Sequence, residues 1–234
     1  MGEVIRSGSA ADEVIADVLT TLTRARAKGG AWTVGAEEKL GAVEHLADVV
    51  FTRLNDAEAE YEPLAAALDV EDEGADHLLG SVSDDIWNRV GRPASAPVLS
   101  LMFPGGIAFY TDGSDAEQPD RMDLLAEFLD AGMHTRLDAK VSKAHAKTIR
   151  DAAQGYRKKV EAQQKPAARV KLLQAMKAAV GRYAQTELVH LKRRYKSENF
   201  SEAEIHAVIP CRARGAAAKP AATPLAPPAD KPTP

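Results

Sequence analysis

Seven apolar residues, Leu40, Val43, Ala47, Val50, Leu54, Ala57 and Tyr61, keep an alternating spacing of 3 and 4 over three heptads. A chain carrying such a stripe must form a long helix and bury one face of it against other helices. Leu46, Val49 and Phe51 widen the stripe beyond a two-stranded seam, which predicts a helix touching two neighbours in a bundle. Upstream, Ala11, Ile15, Val18, Leu22 and Ala25 repeat the pattern, with Ser9 and Asp12 as a capping-box-like start and Lys28-Gly29-Gly30 as a stop. Downstream, Pro63 is expected to kink or restart the chain. A further helix is expected through Ala75, Leu79, Val82, Ile86 and Val90, closed by Gly91-Arg92-Pro93. Trp32 and Trp87 read as core anchors. Residues 1–92 are thus expected to be an acidic helical bundle.

The segment 93–119 breaks the pattern. Val98–Phe103 and Ile107–Thr111 are short runs rich in β-branched and aromatic residues, and Pro104-Gly105-Gly106 between them offers the positive φ of a tight reversal. The expectation is a β-hairpin capping the helical core, with Leu101, Phe103, Ile107 and Phe109 available for self-association at its edge.

Helical spacing returns with Leu124, Leu125, Phe128, Leu129, Met133, Leu137, Val141, Ile149, Tyr156 and Val160. After a break at Lys165-Pro166 it continues through Val170, Leu173, Met176, Val180, Tyr183, Leu188, Leu191 and Tyr195. Two long helices joined by a short break predict an antiparallel hairpin over about 120–196. Ser201 and Glu204 form a capping box for a last short helix, so residues 120–209 read as a basic long-helix hairpin with a short final helix. Residues 210–234 are Ala/Pro-rich and expected to be disordered. The fold class is therefore all-α with one β-hairpin, and an Ala-rich core follows from 45% hydrophobic but only 5% aromatic residues.

Charge is divided between the halves. Residues 1–135 carry 9 Lys+Arg against 26 Asp+Glu, a balance of −17, and residues 136–234 carry 21 against 8, a balance of +13. Such a split points to pairing of the two halves, to an acidic partner or to nucleic acid. Lys140, Lys143, Lys147 and Arg150 fall on one helical stripe, and Arg157, Lys158, Arg193 and Arg194 extend the basic set. A stripe like this can follow a phosphate backbone without reading sequence.

Catalytic and metal motifs are missing from the sequence. Glu187 and His190 have the spacing of half a di-iron motif, but a second copy is needed. No nucleophile elbow or dinucleotide fingerprint occurs, so neither cofactor nor metal is expected. The single cysteine, Cys211, cannot form an internal disulfide. With no apolar leader and no window of about 18 apolar residues, this favours a cytoplasmic protein without a membrane span. The function expected is a non-enzymatic structural or scaffold protein that binds itself or another protein, with non-specific nucleic-acid binding through the basic helices as the alternative and an uncharacterised enzyme as the second.

Overall fold

The computed structural model describes residues 10–92 and 97–210. Ser9, Cys211 and the Ala/Pro-rich segment from 211 onward lie outside the described residues. About 85% of the described residues are helical and none is in a strand. The elements are α1 (Ala11–Lys28), α2 (Gly30–Arg89), α3 (Pro97–Met102), α4 (Ala108–Thr111), α5 (Gln118–Asp130), α6 (Ala139–Ser197) and α7 (Glu202–Val208).

Among the described residues the helices group into two compact units, one of residues 10–49 with 177–210 and the other drawn from residues 50–176. Each unit therefore joins acidic N-terminal sequence to basic C-terminal sequence. In the first, Gly29 and Gly30 take φ of 74° and 56°, the left-handed conformation that lets α1 stop and α2 begin one residue later. The turn folds the two helices together: Thr33 Oγ1 donates to the Ala25 carbonyl at 3.0 Å, and Arg26 on α1 pairs with Glu37 and Glu44 on α2 at 2.7 Å each. Val18, Leu22, Leu40, Val43, Leu188 and Leu191 are buried there. The Tyr195 hydroxyl donates to the Trp32 carbonyl at 2.6 Å, and the Trp32 ring stacks on Phe200 with centroids 4.0 Å apart. Helix α7 has its expected capping box: the Ser201 side chain accepts from the Glu204 amide, and Glu204 accepts from the Ser201 amide.

In the second unit, α2 and α6 run antiparallel. Along α2, residues 58, 60, 61, 72 and 85 contact residues 174, 169, 163, 156 and 145 of α6, descending in step. The heptad residues Val50, Leu54 and Ala57 are buried as expected. A large core gathers Leu68, Leu79, Val82, Ile86, Leu125, Leu129, Ile149 and Tyr156.

Four expectations need correction. No β-hairpin forms at 98–111: the two runs are the short helices α3 and α4, joined through Gly105 and Gly106 at φ of 89° and 85°. A lone hairpin would leave edge amides unpaired, whereas these turns bond internally and drop Leu99, Met102, Phe103 and Tyr110 into the core. The buried Tyr110 hydroxyl donates to the Met102 carbonyl and ties α4 to α3. Second, Pro166 does not break a helix, and Pro63 does not restart one. Pro63 lies inside α2 and Pro166 inside α6. Third, the long-helix hairpin over 120–196 is not the pairing found: α6 is continuous through 166 and packs against α2. What separates α5 from α6 is a loop at 131–138, where Asp138 Oδ1 accepts from the Lys140 and Val141 amides at 2.9 and 3.2 Å to start α6. Of the two tryptophans, Trp32 is buried, but Trp87 is 40% exposed and is not a core anchor.

Candidate functional site

The basic residues marked out by the sequence divide into two kinds. On α6, Arg150 Nη2 lies 2.5 Å from Asp130 Oδ2, and Arg157 Nη2 lies 2.7 Å from Asp120 and 2.8 Å from Asp123. All three acids belong to α5, so these arginines fasten α5 to α6. Donation to Asp123 and Asp120 raises the pKa of Arg157, and donation to Asp130 raises that of Arg150. Lys147 pairs one turn along its own helix with Asp151 at 2.6 Å. In the first unit, Arg194 bonds Glu38 on α2 and Glu198. Lys140, Lys143, Lys158 and Arg193 are exposed and have no ion pair with any described residue.

Arg150 and Arg157 are seven residues apart and stand on one side of α6. With Asp123, Glu127, Asp151 and Gln154 they line a cleft of about 440 Å³ in the second unit. No serine, cysteine or histidine is among those six. Its guanidiniums are already paired, so the cleft offers ion-pair exchange to a small charged molecule and no nucleophile.

A second polar cluster lies inside the same unit. The fully buried Tyr156 donates its hydroxyl to Asp72 Oδ1 at 2.8 Å, with Gln118 Oε1 at 3.3 Å and Asp115 Oδ1 at 3.4 Å. Gln118, also buried, donates from Nε2 to Asp76 Oδ1 at 2.8 Å. Burial, then the neighbouring carboxylates, pushes the Tyr156 phenol far above its ordinary range, and burial raises Asp76 as well. These groups satisfy one another, and their chemistry is that of a tie between α2, α5 and α6. Nearby, His145 Nε2 lies 2.8 Å from Asp85 Oδ2, and Asp85 is held below its usual range first by Arg89 and then by His145.

The chain matches no family model, no curated protein and no solved structure.

The residues expected at the hairpin edge are not brought together as one surface. Phe103 is buried, Ile107 packs on the core, and only Leu101 and Phe109 are exposed, the latter with the Arg121 guanidinium 5.6 Å over its ring. Glu187 and His190 contact each other at 3.3 Å, and no group of three metal-ligating side chains that could hold an ion occurs among the described residues. No described helix is long and apolar enough to cross a membrane. Sequence reasoning missed the Tyr156 cluster because Tyr156 sits on the apolar stripe. The available signal was on α2, where Asp72 and Asp76 occupy a face that also carries Leu68 and Leu79.

More informative for function is what the second unit leaves in water. Val70 on α2 is 71% exposed and Leu172 on α6 is 61% exposed. Val70 is flanked by the exposed carboxylates Asp69 and Glu73. Leu172 has Met176 one turn on, and beside it is the exposed Lys171, which has no ion pair with any described residue.

Proposed function

We propose that this protein is a helical scaffold that works by assembling with copies of itself. The observation that carries the reading is the pair of apolar points in one unit with opposite charge around them: Val70 among Asp69 and Glu73, and Leu172 with Met176 beside Lys171. Large aliphatic side chains in water on a helix that has already buried its heptad face favour a further helix partner. A second copy supplies it with matched charge, because the α2 face of one protomer meets the α6 face of the other. A two-fold arrangement makes that contact twice.

What speaks against the nucleic-acid alternative is that Arg150, Arg157 and Arg194 are occupied by Asp and Glu of the same unit. A phosphate would have to displace those carboxylates. Light scattering tests the proposal directly. The chain of 25.0 kDa is expected to give at least twice that mass at tens of micromolar. Asp69→Lys with Glu73→Lys lowers the mass, and adding Lys171→Glu restores it, since the charges are exchanged and still matched. A monomer throughout refutes self-assembly. Retention on mixed-sequence DNA at low salt, where phosphate contacts are strongest, would favour the alternative in its place.

A further inference from the structure

We infer that the second unit contains a hinge at the level where Pro63 of α2 lies opposite Pro166 of α6. Each proline lacks the amide that would bond four residues back, so the carbonyls of Ala59 and Ala162 lose their helical partners. Both alanines are exposed, and water can take those carbonyls in any bend angle. A single proline would mark one kinked helix. Here the pairing places both at one level: Glu60 meets Arg169 at 3.1 Å and the Tyr61 hydroxyl meets Gln163 Nε2 at 3.1 Å, so residue 63 faces residue 166 to within about a turn.

Packing thins at the same level, where Tyr61 lies half-buried against the cluster on one side. On one side Leu54, Ala57, Val170 and Leu173 form a small cluster of their own. On the other the large core begins with Leu68 on α2 and Val160 on α6. Between them, neither α2 from 58 to 67 nor α6 from 161 to 169 has a buried residue. A helix pair resists bending through its ladder of backbone bonds and through its interdigitated side chains. Both are reduced at this one level, on both helices, so the pair bends there as a unit, and the Leu54–Leu173 cluster swings against the large core without either being disrupted. The hinge does not depend on self-assembly, since every residue in it belongs to one chain.

Spin-label distances test it in the full chain. Nitroxides at Asn55→Cys and Gly74→Cys, both exposed, in a Cys211→Ser background bracket Pro63 by 19 positions, about 28 Å along a straight helix. The distance distribution is expected to be broad in the protein with both prolines and to narrow about twofold in Pro63→Ala/Pro166→Ala, with each single substitution between. Alanine is the best helix former, so these variants keep the helices, which far-ultraviolet circular dichroism verifies. Amides at 64–67 and 167–170 should also exchange about tenfold more slowly in the double variant. A distribution as narrow with the prolines as without, or one that stays broad in the double variant, overturns the hinge.

Discussion

Glycine to alanine inside a helix ordinarily stabilises by about 0.5–1 kcal/mol, because glycine loses more backbone freedom on folding. The helices here set three such glycines in different surroundings, and the sign of the change should differ between them. A Cβ at Gly80 of α2 would meet nothing within 4 Å. Gly80→Ala should therefore gain about the full propensity difference and raise Tm by about 1–4 °C for a chain of this size. A Cβ at Gly155 of α6 would come 3.0 Å from Glu71 Oε1, the mobile end of a side chain that can turn away, and its gain should be smaller. A Cβ at Gly181 of α6 would stand 2.7 Å from the Ala11 Cβ and 2.9 Å from its Cα. Backbone cannot swing aside, so α1 must shift. Overpacking of this kind costs about 1–3 kcal/mol, which outweighs the propensity gain and leaves a net loss of about 1–2 kcal/mol. Thermal melts followed at 222 nm read all three, with a fall of several degrees expected for Gly181→Ala. Adding Ala11→Gly removes the nearer clash and should recover part of that fall. If Gly181→Ala raises Tm as Gly80→Ala does, the close approach of α1 to α6 is refuted.

Other perturbations follow from the same packing. Leu79→Ala empties a fully buried site of the large core and should cost about 2–5 kcal/mol in urea denaturation. Tyr156→Phe keeps the ring but leaves Asp72 without its donor, a loss of about 1–3 kcal/mol by the same measurement. Ser201→Ala removes the cap of α7 and should cost about 1 kcal/mol, with faster amide exchange confined to 202–209. Burial pushes the phenols of Tyr110 and Tyr195 up to about 12. The unfolded chain ionises them near 10, so their contribution to stability is complete below pH 10 and is lost as pH climbs from 10 toward 12. Absorbance at 295 nm should then show these tyrosines ionising together with loss of helix. Full ionisation near pH 10 in an intact helical protein would contradict their burial.

The heptad Leu40–Tyr61 was legible because its period is a property of the sequence alone, and the Ser201–Glu204 box because its two partners lie within one turn. The segment 97–111 was misread for the opposite reason. Its β-prone residues and Pro-Gly-Gly describe local preference, and the decision belongs to the core that takes in Met102 and Tyr110. Pro166 read as a break and Pro63 as a kink or restart, but a proline removes only one backbone bond, and here each is flanked by buried heptads that hold the helix on both sides. Charge asymmetry was visible in the sequence, but the partners of its arginines were not. That Arg157 meets Asp120 and Asp123 depends on how α5 returns along α6, which no local spacing encodes. Val70 and Leu172 escaped notice because each is an ordinary aliphatic residue until its neighbours turn out to be water.

The first unit takes its residues from two stretches that ribosomal synthesis delivers at different times. When residues up to 49 have emerged, the partners of Trp32 and Glu38 on the last part of α6, Tyr195 and Arg194, do not yet exist, and the 127 residues of the other unit are made first. At about 5–20 residues per second that is a wait of roughly 6–25 s. During it the second unit can close on its own contiguous sequence while an acidic, apolar-striped segment stays unpaired beside the exit tunnel. A message cut short before Lys177 would leave that segment permanently without its complement. Such fragments should be clients for chaperones and proteases in a way that fragments lacking residues 10–49 are not, because those retain a contiguous second unit made in one pass.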